Sequence, residues 1–139
     1  MRLLGQKTTN AKIFGEVDKA SEHLKFIRNI PDFIIHNHNM KRVDLRLNKN
    51  YAVIEIKVID SVSKKKKKEI RKDIDKLLKF MKHPNLHYQH AVEIIIGEER
   101  FLEIVKHIMR SNQQGTYKID IIYFNVDTWK LTNWIIKRK

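Results

Sequence analysis

The stretch from Tyr51 to Ile59, YAVIEIKVI, constrains this chain more than any other. It is rich in β-branched residues, and Ala52, Ile54, Ile56 and Val58 alternate with Val53, Glu55 and Lys57 at the two-residue period of an extended strand. A run this apolar belongs at the centre of a sheet. From Lys64 to Lys82 the period changes to that of a helix: Ile70, Ile74, Leu77, Leu78 and Met81 form an apolar stripe, the opposite face is cationic, and Pro84 marks the end. Ala91 to Ile96 reads as a second apolar strand and Glu98 to Arg110 as a second amphipathic helix. Tyr117 to Asn125 reads as a further strand, followed by a basic tail.

Upstream, Ile13, Val17, Ala20, Leu24 and Ile27 recur at helical spacing and predict a helix between Asn10 and Asn29, closed by Pro31. Asp32 to His36 and Lys41 to Leu47 read as two strands joined by the turn-rich Asn37, His38 and Asn39, and Asn48 to Asn50 make a second short turn into Tyr51. The predicted order is αβββαβαβ, an α/β (α+β) fold with a mixed central sheet flanked by helices. At 139 residues the chain is most economically one domain.

Charge narrows the partner. Lys and Arg number 29 against 16 Asp and Glu, a net charge of +13, so a polyanion is expected and nucleic acid leads. An anionic membrane surface would attract the same charge, but no apolar run reaches the length of a membrane span. The absence of cysteine excludes disulfides and thiolate metal sites and fits a cytoplasmic or otherwise intracellular protein. The opening MRLLGQKTTN has too short an apolar part for a signal peptide.

Chemistry concentrates between Val43 and Lys57. If the second and third predicted strands pair, Asp44 and Glu55 lie on neighbouring strands, and alternation puts Glu55 and Lys57 on one face. Two carboxylates and the backbone carbonyl of Ile56 are adequate ligands for Mg²⁺ or Mn²⁺, and Lys57 would position an attacking water or stabilise charge growing on a phosphate. The plain alternative is an ordinary ion pair on a solvated strand face, worth at most about 1 kcal/mol.

The triad Asp44, Glu55 and Lys57, followed by an amphipathic helix and another strand, resembles the PD-(D/E)xK, or restriction-endonuclease-like, nuclease superfamily. The resemblance spans about 11–97, leaving about 98–139 as a C-terminal extension, and it departs from the pattern in having Val43 where the name has proline. It implies an αβββαβ core, metal binding by Asp44 and Glu55, and a catalytic role for Lys57. It also implies a further carboxylate from the first helix, for which Glu16 is a better candidate than Glu22. One active site per small subunit implies a homodimer with two sites, and size and charge are similar to those of archaeal Holliday junction resolvases in that superfamily.

The expectation is therefore a metal-dependent DNA endonuclease acting on duplex or branched DNA. Lys64, Lys65, Lys66, Lys67, Lys68, Lys72 and Lys76 would contact the phosphate backbone. The competing expectation is a nucleic-acid-binding protein on the same scaffold that does not cut. His36, Asn37 and His38 are read as a turn, and His83, His87 and His90 as a solvated loop rather than a metal site. Trp129 and Trp134 are read as packing against the last strand or a partner subunit in preference to stacking on bases.

Overall fold

The apolar run is strand β3 (Asn50–Val58), and it lies inside a six-stranded sheet whose strands are arranged in chain order. The computed structural model describes residues 11–15, 31–37, 50–84, 86, 88–110 and 115–139. Strands β1 (Ala11–Gly15) and β2 (Phe33–Asn37) pair antiparallel, and β2 pairs antiparallel with β3 through Phe33↔Ile54, Ile34↔Val53 and Ile35↔Ala52. Helix α1 (Lys64–Lys82) then carries the chain to β4 (His90–Gly97), parallel to β3. A 3-10 turn (Glu99–Phe101) and helix α2 (Leu102–Arg110) lead to β5 (Tyr117–Asn125), parallel to β4. Strand β6 (Lys130–Arg138) returns antiparallel to β5. The described architecture is thus α+β with a mixed sheet and two α-helices.

Both parallel crossovers step the same way across the sheet, so right-handed connections place both helices on one face. There α1 packs on β3, β4 and β5 and touches α2. Val53, Ala91, Ile95, Ile119, Ile121 and Tyr123 point into this layer, where Ile70, Ile74, Leu77 and Phe80 of α1 meet them, all buried. The stripe expected on α1 is confirmed at Ile70, Ile74, Leu77 and Met81, while Phe80 replaces Leu78 as its inner member. Ser63 opens the helix, its Oγ accepting a 3.3 Å hydrogen bond from the Lys66 amide. The cap stands against an adverse charge. Lys64 to Lys67 crowd the positive end of the helix dipole, and the first turn has no acid.

Three expectations are corrected. Ala11–Gly15 is a strand, not the start of a helix; short apolar runs satisfy both periods, and pairing with β2 decides between them. The remainder of the predicted Asn10–Asn29 helix lies outside the described residues. The antiparallel neighbour of β3 is β2, so that between Ala52 and Ile54 both edges of β3 are taken, by β2 and β4. The predicted strand Lys41–Leu47, expected in that place, lies outside the described residues. Finally, the basic tail is β6. Its cations cluster at the ends and hid the alternation that buries Ile136 opposite Ile119 and packs Trp134 against the core. The chain beyond Gly97 therefore builds the same core rather than an appendage to it.

Leu77, fully buried at the centre of the α1 contact, is expected to cost about 2–5 kcal/mol when changed to Ala, whereas Leu78→Ala at the margin costs less than half as much. Urea denaturation of the two variants measures the difference.

Candidate functional site

Helix α1 meets β3 through charge as well as through its apolar stripe. Glu55 and Lys57 share the helix-facing side of β3, as the alternation required. The Lys76 ammonium lies 2.7 Å from each Glu55 oxygen, and the Lys57 ammonium lies 2.8 Å from an Asp73 oxygen. The crossed order follows from direction. The helix runs antiparallel to the strand, so the later strand residue meets the earlier helix residue. Two strand residues span about 6.7 Å and three helical ones about 4.5 Å, close enough for long side chains to close both pairs.

On the next strand Glu93 stands in register with Glu55. It is 0% exposed, and both of its carboxylate oxygens are buried without a hydrogen-bond partner. On the other side, the β2–β3 ladder ends at Phe33↔Ile54, and Asp32 sits one step beyond. The exposed Asp32 carboxylate takes the place of a ladder partner by accepting a 2.7 Å hydrogen bond from the Ile56 amide. Pro31, buried beside it, ends the segment that feeds β2.

Four carboxylates, Asp32, Glu55, Asp73 and Glu93, thus gather around two ammonium groups, Lys57 and Lys76. Fully ionised, the group carries two uncompensated negative charges, which is costly at this depth. The titration of the group reflects that deficit. Burial raises Glu55 to about 7; the bond and charge of Lys76 oppose the shift, and the charges of Asp32 and Asp73 add to it. Burial holds Glu93 well above the ordinary carboxylate range, reinforced by Asp73, Glu55 and Asp32 and only partly offset by Lys57. Burial would lower Lys57, but its bond to Asp73 and the nearby Glu93 and Glu69 keep it above the usual lysine value. The upward shifts make Glu93 and Glu55 hold protons more readily, which offsets part of the missing positive charge.

Of the residues singled out in the sequence, Glu55, Ile56 and Lys57 come together, while Asp44 and Glu16 lie outside the described residues. Lys64, Lys65, Lys68 and Lys72 are exposed on α1, and Lys66 and Lys67 are half-buried. Lys76 corrects the expectation for that lysine. It turns inward onto Glu55, because α1 places it one turn from Asp73 on the side that covers β3, and it is not a backbone contact. His90 is in β4, its ring 4.8 Å from that of Tyr51, rather than in a loop; His87 lies outside the described residues. Among the described residues no three Asp, Glu or His side chains already converge as a metal cage.

The sequence marks Asp32, Asp73 and Glu93 less plainly than Glu55 and Lys57. For Asp32 the signal was the dipeptide Pro31-Asp32 at a strand start. For Glu93 it was the sequence VEI, the twin of IEI around Glu55: an acid interrupting each of two successive apolar strands. In comparisons with known proteins, no family model, no characterised sequence and no solved structure matches this chain.

A carboxyl raised in the fold contributes stability that is complete below its unfolded value and is lost as pH rises through its folded value. Glu93→Gln is therefore expected to gain on the wild type as pH rises above about 4.5, by up to about 1.4 kcal/mol per pH unit. Denaturation midpoints at pH 5 and pH 8 test this. Parallel pH profiles for the two proteins would refute it.

Proposed function

We propose that this chain is a metal-dependent DNA endonuclease on a PD-(D/E)xK-like core, with Asp32, Glu55 and Lys57 at its site. The observation that carries the reading is the seat of Asp32 on the edge of β3 beside Glu55, bonded to the Ile56 amide and preceded by Pro31. In this reading Asp32 supplies the first acid of the motif, complete with the proline that Asp44 lacks. The β2–β3–α1–β4 run is compatible with the later part of the core that the motif implies.

The donor set suits a hard cation. The Ile56 carbonyl leaves β3 on the same edge as its amide, toward Asp32, so two carboxylates and a carbonyl offer only oxygen, as Mg²⁺ or Mn²⁺ requires. The orphan oxygens of Glu93 and the two uncompensated charges support a cation in this neighbourhood. Such an ion, when bound, supplies Lewis acidity and a water of lowered pKa. Asp32 and Glu55 would hold it, and Lys76 would then have to release Glu55. Lys57, kept charged by Asp73, places a cation where negative charge grows on the phosphate.

Lys64 to Lys68 support a nucleic-acid partner on a physical ground beyond their number. Cations at the positive end of a helix dipole destabilise it, and a bound phosphate reverses that penalty. The second reading, binding without cutting, rests on this tract alone.

Cleavage of plasmid and four-way-junction DNA with Mg²⁺, Mn²⁺ or EDTA decides between the two. Asp32→Asn, Glu55→Gln and Lys57→Met are each expected to lose about 100-fold or more in rate while retaining DNA binding. Cutting by the wild type should fall below about pH 7 as Glu55 takes up a proton. Loss of cutting in Asp44→Asn with full activity in Asp32→Asn would return the acid to Asp44. Binding with no cutting under any condition would favour the second reading.

A further inference from the structure

Strand β6 ends the sheet, pairing among the described residues only with β5. Its nine residues form a long edge, and edges of that length invite another strand. On the face away from the helices Leu131 is 57% exposed and Ile135 52%, and in the turn before them Trp129 is 80% exposed. Trp129 holds a left-handed backbone, φ 56°, and its indole meets the Phe124 ring edge-on at 5.7 Å, extending the apolar surface toward the turn. A non-glycine residue in that conformation and a bulky indole in water both carry a free-energy cost.

We propose that this edge is the seat of a second copy of the chain, joined by antiparallel β6–β6 pairing about a twofold axis through Asn133. The sequence KLTNWIIKR selects the partner and the register. Centring on Asn133 sets Leu131 opposite Ile135 of the second copy twice over, Thr132 opposite Trp134, and Lys130 opposite Ile136, so no cation faces another. Centring one residue later would lengthen the ladder but oppose Lys130 to Arg138 and Leu131 to Lys137. Centring one residue earlier shortens it and sets Leu131 against Asn133. Like charges directly opposed are destabilising, whereas apolar pairs on one face stabilise. Centring on Ile135 gives a ladder of equal length without opposed cations but sets Thr132 against Arg138 and Asn133 against Lys137 and leaves Leu131 without an apolar partner; the chosen register pairs Leu131 with Ile135 and leaves Lys137 beside the Trp129 indole of the other copy, where a cation is welcome. The inference stands independently of the nuclease reading.

The natural absence of cysteine makes the test clean. Directly opposed residues lie about 4.5–5.5 Å apart, within disulfide range, whereas two Leu131 residues would be about 14 Å apart in this register. In the full chain, Asn133→Cys is expected to form a disulfide-linked dimer under mild oxidation and Leu131→Cys is not. Sedimentation of the uncrosslinked wild type should give twice the 16.7 kDa chain mass, and Ile135→Lys should shift the equilibrium toward monomer by about 100-fold with unchanged circular dichroism. A wild type that stays monomeric at tens of micromolar would overturn the proposal. So would a dimer in which Asn133→Cys fails to crosslink, or one that Ile135→Lys leaves intact.

Discussion

The two ion pairs beneath α1, Lys76 with Glu55 and Lys57 with Asp73, fix the relation between the helix and the centre of the sheet. The apolar stripe of Ile70, Ile74 and Leu77 supplies the driving force for docking, but burial of apolar area is non-directional and tolerates sliding. Charges this deep do not. A shift of one helical turn in one direction would bring Leu77 and Phe80 to Lys57 and Glu55 and leave those charges unpaired; the opposite shift would offer Glu69 and Lys72 in place of Asp73 and Lys76 but carry Lys66 into the buried place of Ile70. Register between α1 and β3 is therefore set by the ion pairs and the ends of the apolar stripe together. The same contacts bring Asp73 and Lys76 into the neighbourhood of Glu93 and Asp32.

That arrangement is expensive for stability alone. Replacing Glu93 by an apolar residue would remove a buried carboxyl with no partner, and nothing in the packing of β4 requires an acid there. Proteins retain such groups where a charge must change during function. Burial makes both Glu93 and Glu55 hold protons more readily, which answers part of the charge deficit; the proposed cation would answer it in another way.

Much of this was legible in the sequence. The range Lys64–Lys82 was readable to the residue, because a nineteen-residue stripe followed by proline admits one interpretation. Strand β5 was equally clear. The pairing of Glu55 with Lys57 on one face followed from strict alternation. What failed was local or three-dimensional. Ala11–Gly15 fits both periods over five residues, and only its partner β2 makes it a strand. The cations at both ends of β6 masked a core strand as a tail. The inward turn of Lys76 could not be read from a helix carrying many lysines, since only the docking geometry distinguishes it from its neighbours. Asp32 is inconspicuous in the sequence because its bond to the Ile56 amide depends on the ladder stopping at Phe33, and register is invisible in one sequence.

In the proposed reading Asp32 and Glu55 form a cation-binding edge that Lys76 closes when no cation is bound. Anomalous diffraction from crystals equilibrated with Mn²⁺ tests it most directly. An anomalous peak is expected between the Asp32 and Glu55 carboxylates, near the Ile56 carbonyl, with the Lys76 ammonium withdrawn from Glu55. A Glu55 still clasped by Lys76 at saturating Mn²⁺, with no peak at Asp32, would contradict it.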